Sequence, residues 1–263
     1  MFSRPASVHV TFIAADKFSY DIWPKPILAA DNKPTWYEST QAYYGSDKPA
    51  VLVRGGRTDL NQTIKHCMPV LDMMTAGFQI LLPCDVYVSV DPSTGAKRML
   101  WPDHMPTIVK NHALDQVGNY PFPEEYDRFA FKWQNHWIVR TPPGWSCIFQ
   151  HPAWHDNVPF RTLPAIVDTD HHEIAVEFPF LLKSSFDGCI PKDTPIVQVI
   201  PFKRQDAKAT YTWDQDGSYK VKSGKFFLSL TRAYQRFIRQ KKSYSIEEAP
   251  QGKCPFHSGD ASK

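Results

Sequence analysis

A chain of 263 residues with 42% hydrophobic and 22% charged residues can bury one sizeable core and has an ordinary globular composition. The formal charge of +3 is too small to argue for nucleic acid by itself, since such binding asks for a concentrated basic face and is not expected here, and no run approaches the ~18 uninterrupted apolar residues of a membrane span. The 23 prolines against 12 glycines disfavour long helices and regular parallel sheets, leaving short strands and fixed turns.

Met1–Val10 lacks a charged stretch followed by an apolar one, so the sequence is expected to be cytoplasmic. Residues 8–14 alternate and are rich in β-branched side chains, which predicts a first strand. From Trp23 to Trp36, Pro24, Pro26 and Pro34 hold the chain extended, with Trp23, Ile27, Leu28, Trp36 and Tyr37 as apolar anchors, so residues 1–60 form a strand and an arm on the core. The core is expected over 61–222. Ile64, Met68, Leu71 and Met74 fall at helical spacing, with Pro69 starting a short helix and Ala76-Gly77 closing it. Val86, Val88 and Val90 alternate, and Asp91-Pro-Ser-Thr-Gly95 is a hairpin turn returning through Lys97–Trp101.

Residues 102–128 have no clear period and are expected to be a long loop carrying function or a subunit contact. Strands are predicted at 129–133, 137–140, 145–149, 165–167, 174–180 and 196–200. Short strands at this spacing indicate a mainly β fold, a sandwich, jelly roll or small barrel. A further hairpin joins Tyr211–Trp213 to Tyr219–Val221. Residues 223–245 then predict a basic amphipathic helix, with Phe227, Leu230, Tyr234, Phe237 and Ile238 on one face and Arg232, Arg236, Arg239, Lys241 and Lys242 on the other. The tail over 246–263 is expected to be disordered.

Two groupings carry candidate chemistry. His151, His155 and Asp156, with His171, His172 and Glu173 beyond them, are a possible set for a metal such as non-haem iron, as in a cupin-like oxygenase; the ligands would be His151, His155 and His171 or His172. The second grouping is acidic. Asp168 and Asp170 flank Thr169 directly after the apolar Ala165–Val167, so a strand end presents two carboxylates able to orient a water or a sugar hydroxyl and, if close and buried, to raise each other's proton affinity. Cys67, Cys84, Cys147, Cys189 and Cys254 are widely spaced, with no CxxC pair, and read as buried free thiols in a reducing compartment.

Ala165-Ile-Val-Asp-Thr-Asp-His171 resembles the third motif of the trimeric deoxyuridine triphosphatase and deoxycytidine triphosphate deaminase superfamily. Thr141–Phe149 resembles the turn and strand before its second motif, Ile190–Gln198 its fourth, and Thr75–Ile80 its first. The resemblance implies a small β-barrel, a homotrimer, Asp168 as the catalytic aspartate, and Asp170, His171, Gln198 and Gln79 around a nucleotide with magnesium. The chain departs from the family where Gln150-His-Pro-Ala153 replaces the phosphate-gripping segment, Gln79 the first-motif aspartate and His171 the stacking tyrosine. Those changes point to an altered ligand and away from triphosphate hydrolysis. The whole chain also resembles a family of phage and bacterial proteins, through Trp23–Pro26, Ile64–Pro69 and Pro191–Arg204, which leaves a particle or assembly protein as the alternative, with the virion as its location.

Overall fold

The computed structural model describes residues 7–43, 63–112, 114–128, 130–219 and 234–247, and what it builds from them is mainly antiparallel β structure. β1 (Thr11–Ala14) is followed by α1 (Lys17–Ile22), β2 (Ile27–Leu28), a 3-10 turn at Ala29–Asp31 and α2 (Thr35–Ser39). Local chemistry makes these short helices inside the expected arm. Asp16 caps α1 by accepting from the Ser19 amide at 2.7 Å, and Pro34 leads the chain into α2. The arm is also embedded more deeply than a surface wrap: Trp23 is buried in the main core, and the Trp137 indole donates to the Pro24 carbonyl at 3.0 Å.

α3 (Met68–Met74) begins with Pro69 in its first turn, as its spacing predicts, and closes at Gly77, whose φ is +67°. β3 (Phe78–Leu81), β4 (Val86–Val90) and β5 (Lys97–Leu100) follow, the last two paired across the Asp91 turn. Asp91 accepts from the Ser93 and Thr94 amides, which fixes that turn. The region expected to be one long loop contains β6 (Val109–Asn111) and α4 (Leu114–Val117). β6 is too short to show a period and is a strand because it pairs with β7 (Phe131–Trp133). Then come β8 (Trp137–Arg140), β9 (Trp145–Gln150), β10 (Phe160–Thr162), β11 (Ala165–Val167), β12 (Phe178–Leu182), β13 (Gly188–Ile190) and β14 (Pro195–Lys203).

These strands form four sheets, in the orders β1-β8, β10-β12-β7-β6, β11-β9-β14-β3-β2 and β13-β4-β5. Among the described residues no sheet closes into a barrel. The four- and five-stranded sheets share one core, in which Phe149 stacks on Phe178 at 5.5 Å and Trp133 on Phe180 at 4.0 Å. Each of these side chains is almost wholly buried, and each contributes about 1.5–3 kcal/mol or more through lost apolar contact with water.

Two expectations near the C-terminus need correction. Tyr211–Trp213 is not a strand, and the partner it was given, Tyr219–Val221, lies partly outside the described residues. Of the expected helix over 223–245, residues 223–233 lie outside the described residues, Tyr234–Ile238 is a π-helical turn, and Arg239 onward is not helical. The expected disordered tail lies outside the described residues beyond Glu247.

Candidate functional site around Asp168

β11 is an edge strand of the five-stranded sheet, and its register on β9 sets Val167 opposite Cys147. The chain then winds tightly about the Asp168 carbonyl, which accepts from the amides of His171 at 3.0 Å and His172 at 2.9 Å. The alternation at the strand end sorts the side chains. Thr169 turns fully inward, 2.7 Å from the Thr141 hydroxyl, while Asp168 stays 62% exposed.

The organising cation is Arg204, the residue just past β14. Its Nη1 donates to Asp170 Oδ1 at 2.7 Å, its Nη2 pairs with Oδ2 of the same carboxylate, and Asp170 itself is only 2% exposed. The Gly144 amide also donates to Asp170 Oδ2 at 2.8 Å, and the Gly144 carbonyl accepts from the Arg204 amide at 2.8 Å. Gly144 has φ +83°, which the Pro142-Pro143-Gly144 turn needs and which glycine adopts without strain. Two-point pairing with a guanidinium and a backbone donor hold the Asp170 carboxyl well below the usual carboxylate range. At Asp170 the expected rise in proton affinity is therefore reversed, and Arg204 is the cause.

Asp168 is reached through a second layer. Arg204 Nη1 donates to the Ser146 hydroxyl at 2.9 Å, and Ser146, fully buried, donates to Asp168 Oδ1 at 2.7 Å; Nη1 lies 3.4 Å from that same oxygen. Asp168 Oδ2 has no hydrogen-bond partner among the described residues. The result is an anchored carboxylate with one oxygen offered outward, in a cluster with one negative charge in excess. His171 is 81% exposed, with Nε2 3.7 Å from Asp170 Oδ2, and the His172 Nδ1 donates to the Ile174 carbonyl at 2.8 Å. Beneath the turn, burial pushes the Cys147 thiol up to about 11, so it is no nucleophile at neutral pH.

The two glutamines assigned to the same ligand lie elsewhere. Gln150, Gln198 and Gln79 are cross-strand neighbours on β9, β14 and β3, in one row of the sheet. Gln198 is fully buried; it accepts from the Ala153 amide at 2.9 Å and donates to the Met73 and Ala76 carbonyls at 2.9 and 2.7 Å. It staples the 151–155 loop to the end of α3. Gln79, also fully buried, accepts from Asn32 Nδ2 at 2.8 Å, and its own Nε2 has no partner among the described residues.

The structure does not bring the histidine set together. His151 and His155 each place Nε2 against a carbonyl, that of His155 at 3.3 Å and that of Asn32 at 3.1 Å, and burial pulls both rings below the usual histidine range. His171 sits at the other end of the sheet beside Asp170. Among the described residues no group of three or more His, Cys, Asp or Glu is placed to hold a metal ion. Magnesium fits no better here, because Asp170 is already taken by Arg204 and only Asp168 remains as a ligand. His151 instead lines a cavity of about 590 Å³, together with Tyr126, Trp154 and Phe160.

Arg204 and Ser146 were given no role by sequence reasoning. The only signal was a basic pair ending a long apolar strand, and the Arg204–Asp170 contact spans 34 residues that only the β9 and β14 pairing brings together. Among the described residues no helix is long and apolar enough to cross a membrane. Searches of protein-family models, of curated proteins and of solved structures find no match to this chain.

Proposed function

We propose that the chain is a ligand-binding protein with a core of the deoxyuridine-triphosphatase-like or jelly-roll kind, taking a small hydroxyl-bearing molecule such as a nucleoside at the Asp168 turn. The observation that supports this is the Asp168 carboxylate itself, anchored through Oδ1 by Ser146 and 62% exposed. An ionised carboxylate accepts strongly from sugar hydroxyls and amino groups, and a preset one loses little entropy on binding. Triphosphate is disfavoured, because the cation of the cluster is already neutralised by Asp170 and the excess charge is negative. Catalysis is not part of this reading.

Calorimetry with a panel of nucleosides, nucleoside monophosphates and nucleoside triphosphates tests it. The uncharged nucleosides should bind best, and Asp168→Ala should weaken them at least about tenfold, the loss of one charged hydrogen bond. No heat that depends on Asp168 would sink the proposal.

A second reading, an assembly or particle protein, has its own support. Tyr211 and Trp213 are 98% and 73% exposed on a segment without strand or helix, a costly display unless another subunit covers it. A homo-oligomer, first of all a trimer, is the expected state. Light scattering on the wild type should give a multiple of the 30.2 kDa chain mass, and Tyr211→Ser with Trp213→Ser should lower it; a monomer in both rejects the reading.

A further inference from the structure

The cavity beside His151 lies at the opposite end of β9 from Asp168, about 17 Å away along a strand rising ~3.3 Å per residue. Its volume of about 590 Å³ falls in the range of small-molecule pockets, ~300–1,000 Å³. Its walls are fixed. The Ala153 amide is held by Gln198, the His155 ring by the Asn32 carbonyl, and the Trp154 carbonyl by the Trp36 indole at 2.9 Å. Those contacts keep Trp154 at φ +67°, a left-handed conformation that a bulky side chain seldom adopts and that costs about 1–3 kcal/mol. Trp154 lines the cavity and is 39% exposed, its ring 6.2 Å from that of Trp36.

Opposite charges line the same space without satisfying one another. Arg161 and Lys183 face it as cations, Asp156 and Glu125 as anions. Among the described residues none of these four side chains makes an ion pair or hydrogen bond. Paired charges would have closed the cavity; separated ones leave it able to bind both signs at once. Between them the lining includes Tyr126 and the His151 ring, with Phe160 turned into the core behind it. That ring is neutral: its Nδ1 accepts from the Thr162 amide and its Nε2 donates to the His155 carbonyl, so it serves as wall and not as a third cation.

We propose that this cavity is a binding site for a small zwitterion with a flat apolar body, the class of the free aromatic amino acids, its carboxylate held by Arg161 and its ammonium by Asp156. Guanidinium matches a carboxylate in two-point geometry, and the ammonium is met by a carboxylate beside aromatic faces. The site is independent of the Asp168 turn.

Calorimetry with phenylalanine, tyrosine and tryptophan, and with phenylpropionate and phenethylamine as one-charge analogues, reads the proposal directly. At least one amino acid should bind, with each one-charge analogue weaker by about tenfold or more. Arg161→Gln should remove the advantage of the carboxylate and Asp156→Asn that of the amine. Both residues are exposed, so circular dichroism should confirm that each variant folds as the wild type does. Asp168→Ala should change none of these affinities, which separates this site from the proposed nucleoside site. No heat from any amino acid at millimolar concentration overturns the proposal. So do one-charge analogues that bind equally well, or inorganic phosphate that binds in place of the amino acids and is lost in Arg161→Gln.

Discussion

At the scale of single residues, the tightest constraint is Gly77. Its φ is +67°, and a Cβ added there would stand 2.0 Å from the Val199 carbonyl oxygen, a backbone atom that cannot swing away. Gly77→Ala therefore meets both strain and a clash between the end of α3 and β14, and should cost about 3 kcal/mol or more in a urea titration. Gln198→Leu belongs to the same junction. It removes a side chain that satisfies one buried amide and two carbonyls, and should cost about 3 kcal/mol, read as a lower midpoint with an unchanged slope. An intact fold at full stability in that variant would show that water replaces the glutamine. The role of Gln198 as a staple was invisible in sequence, because its partners lie 45, 125 and 122 residues away. Asp168 and Asp170 were visible because they adjoin each other after an apolar strand. Their division of labour was not, since it depends on which of them Arg204 reaches.

At the scale of elements, legibility followed length and self-sufficiency. β8 and β11 lie where their apolar runs put them, and the β4–β5 hairpin was announced by its Asp91 turn. β12 begins four residues later than its sequence pattern, at Phe178, because Phe178, Pro179 and Phe180 pair in the ladder with β7 whereas Ile174–Glu177 do not. β10 and β13 carry three residues each, too few for any periodicity, and exist only through β12 and β4. The segment after Ile238 shows the same dependence. Its basic residues were read as a solvated helix face, yet Arg239 and Lys242 converge on Asp72 in α3 at 2.7 and 2.8 Å, and Tyr244 packs on Phe78. Asp72→Asn should loosen this clamp while leaving the core intact. Trypsin cleavage between Arg239 and Lys242 should then quicken by roughly an order of magnitude, as local opening becomes easier, with little change in thermal midpoint. An unchanged cleavage rate would show that Tyr244 alone holds the segment.

At the scale of the whole molecule, the core binds several sheets through ionisable groups that tolerate little change of charge. His136, His151 and His155 sit in three different places: against Trp23 at 4.6 Å, on the cavity wall, and under the arm at the Asn32 carbonyl. Burial lowers all three below the usual histidine range, despite the opposing pull of Asp16 on His136 and of Asp156 on the other two. An unfolded chain protonates its histidines near pH ~6.5. Between that value and the lower folded ones, the unfolded state binds more protons, so stability rises with pH and is lost as pH falls below ~6.5. Asp170 adds a second, separate limb. Its carboxyl is depressed, so its contribution is complete above the unfolded value of ~3.9 and is lost only as pH falls beneath that toward the folded one. The thermal midpoint should therefore be level between about pH 7 and pH 8, decline as pH falls below about 6.5, and fall again below about pH 4. Each kcal/mol lost is worth about 2–4 °C in a chain near this size. The two limbs separate by mutation. Asp170→Asn should shrink the lower decline, to which the depressed carboxyls of Asp72 and Glu177 also contribute, and leave the upper one, because no histidine of the three contacts Arg204. An upper decline that vanished with Asp170→Asn, or a midpoint flat from pH 7.5 to 5, would mean that the buried histidines do not control acid stability.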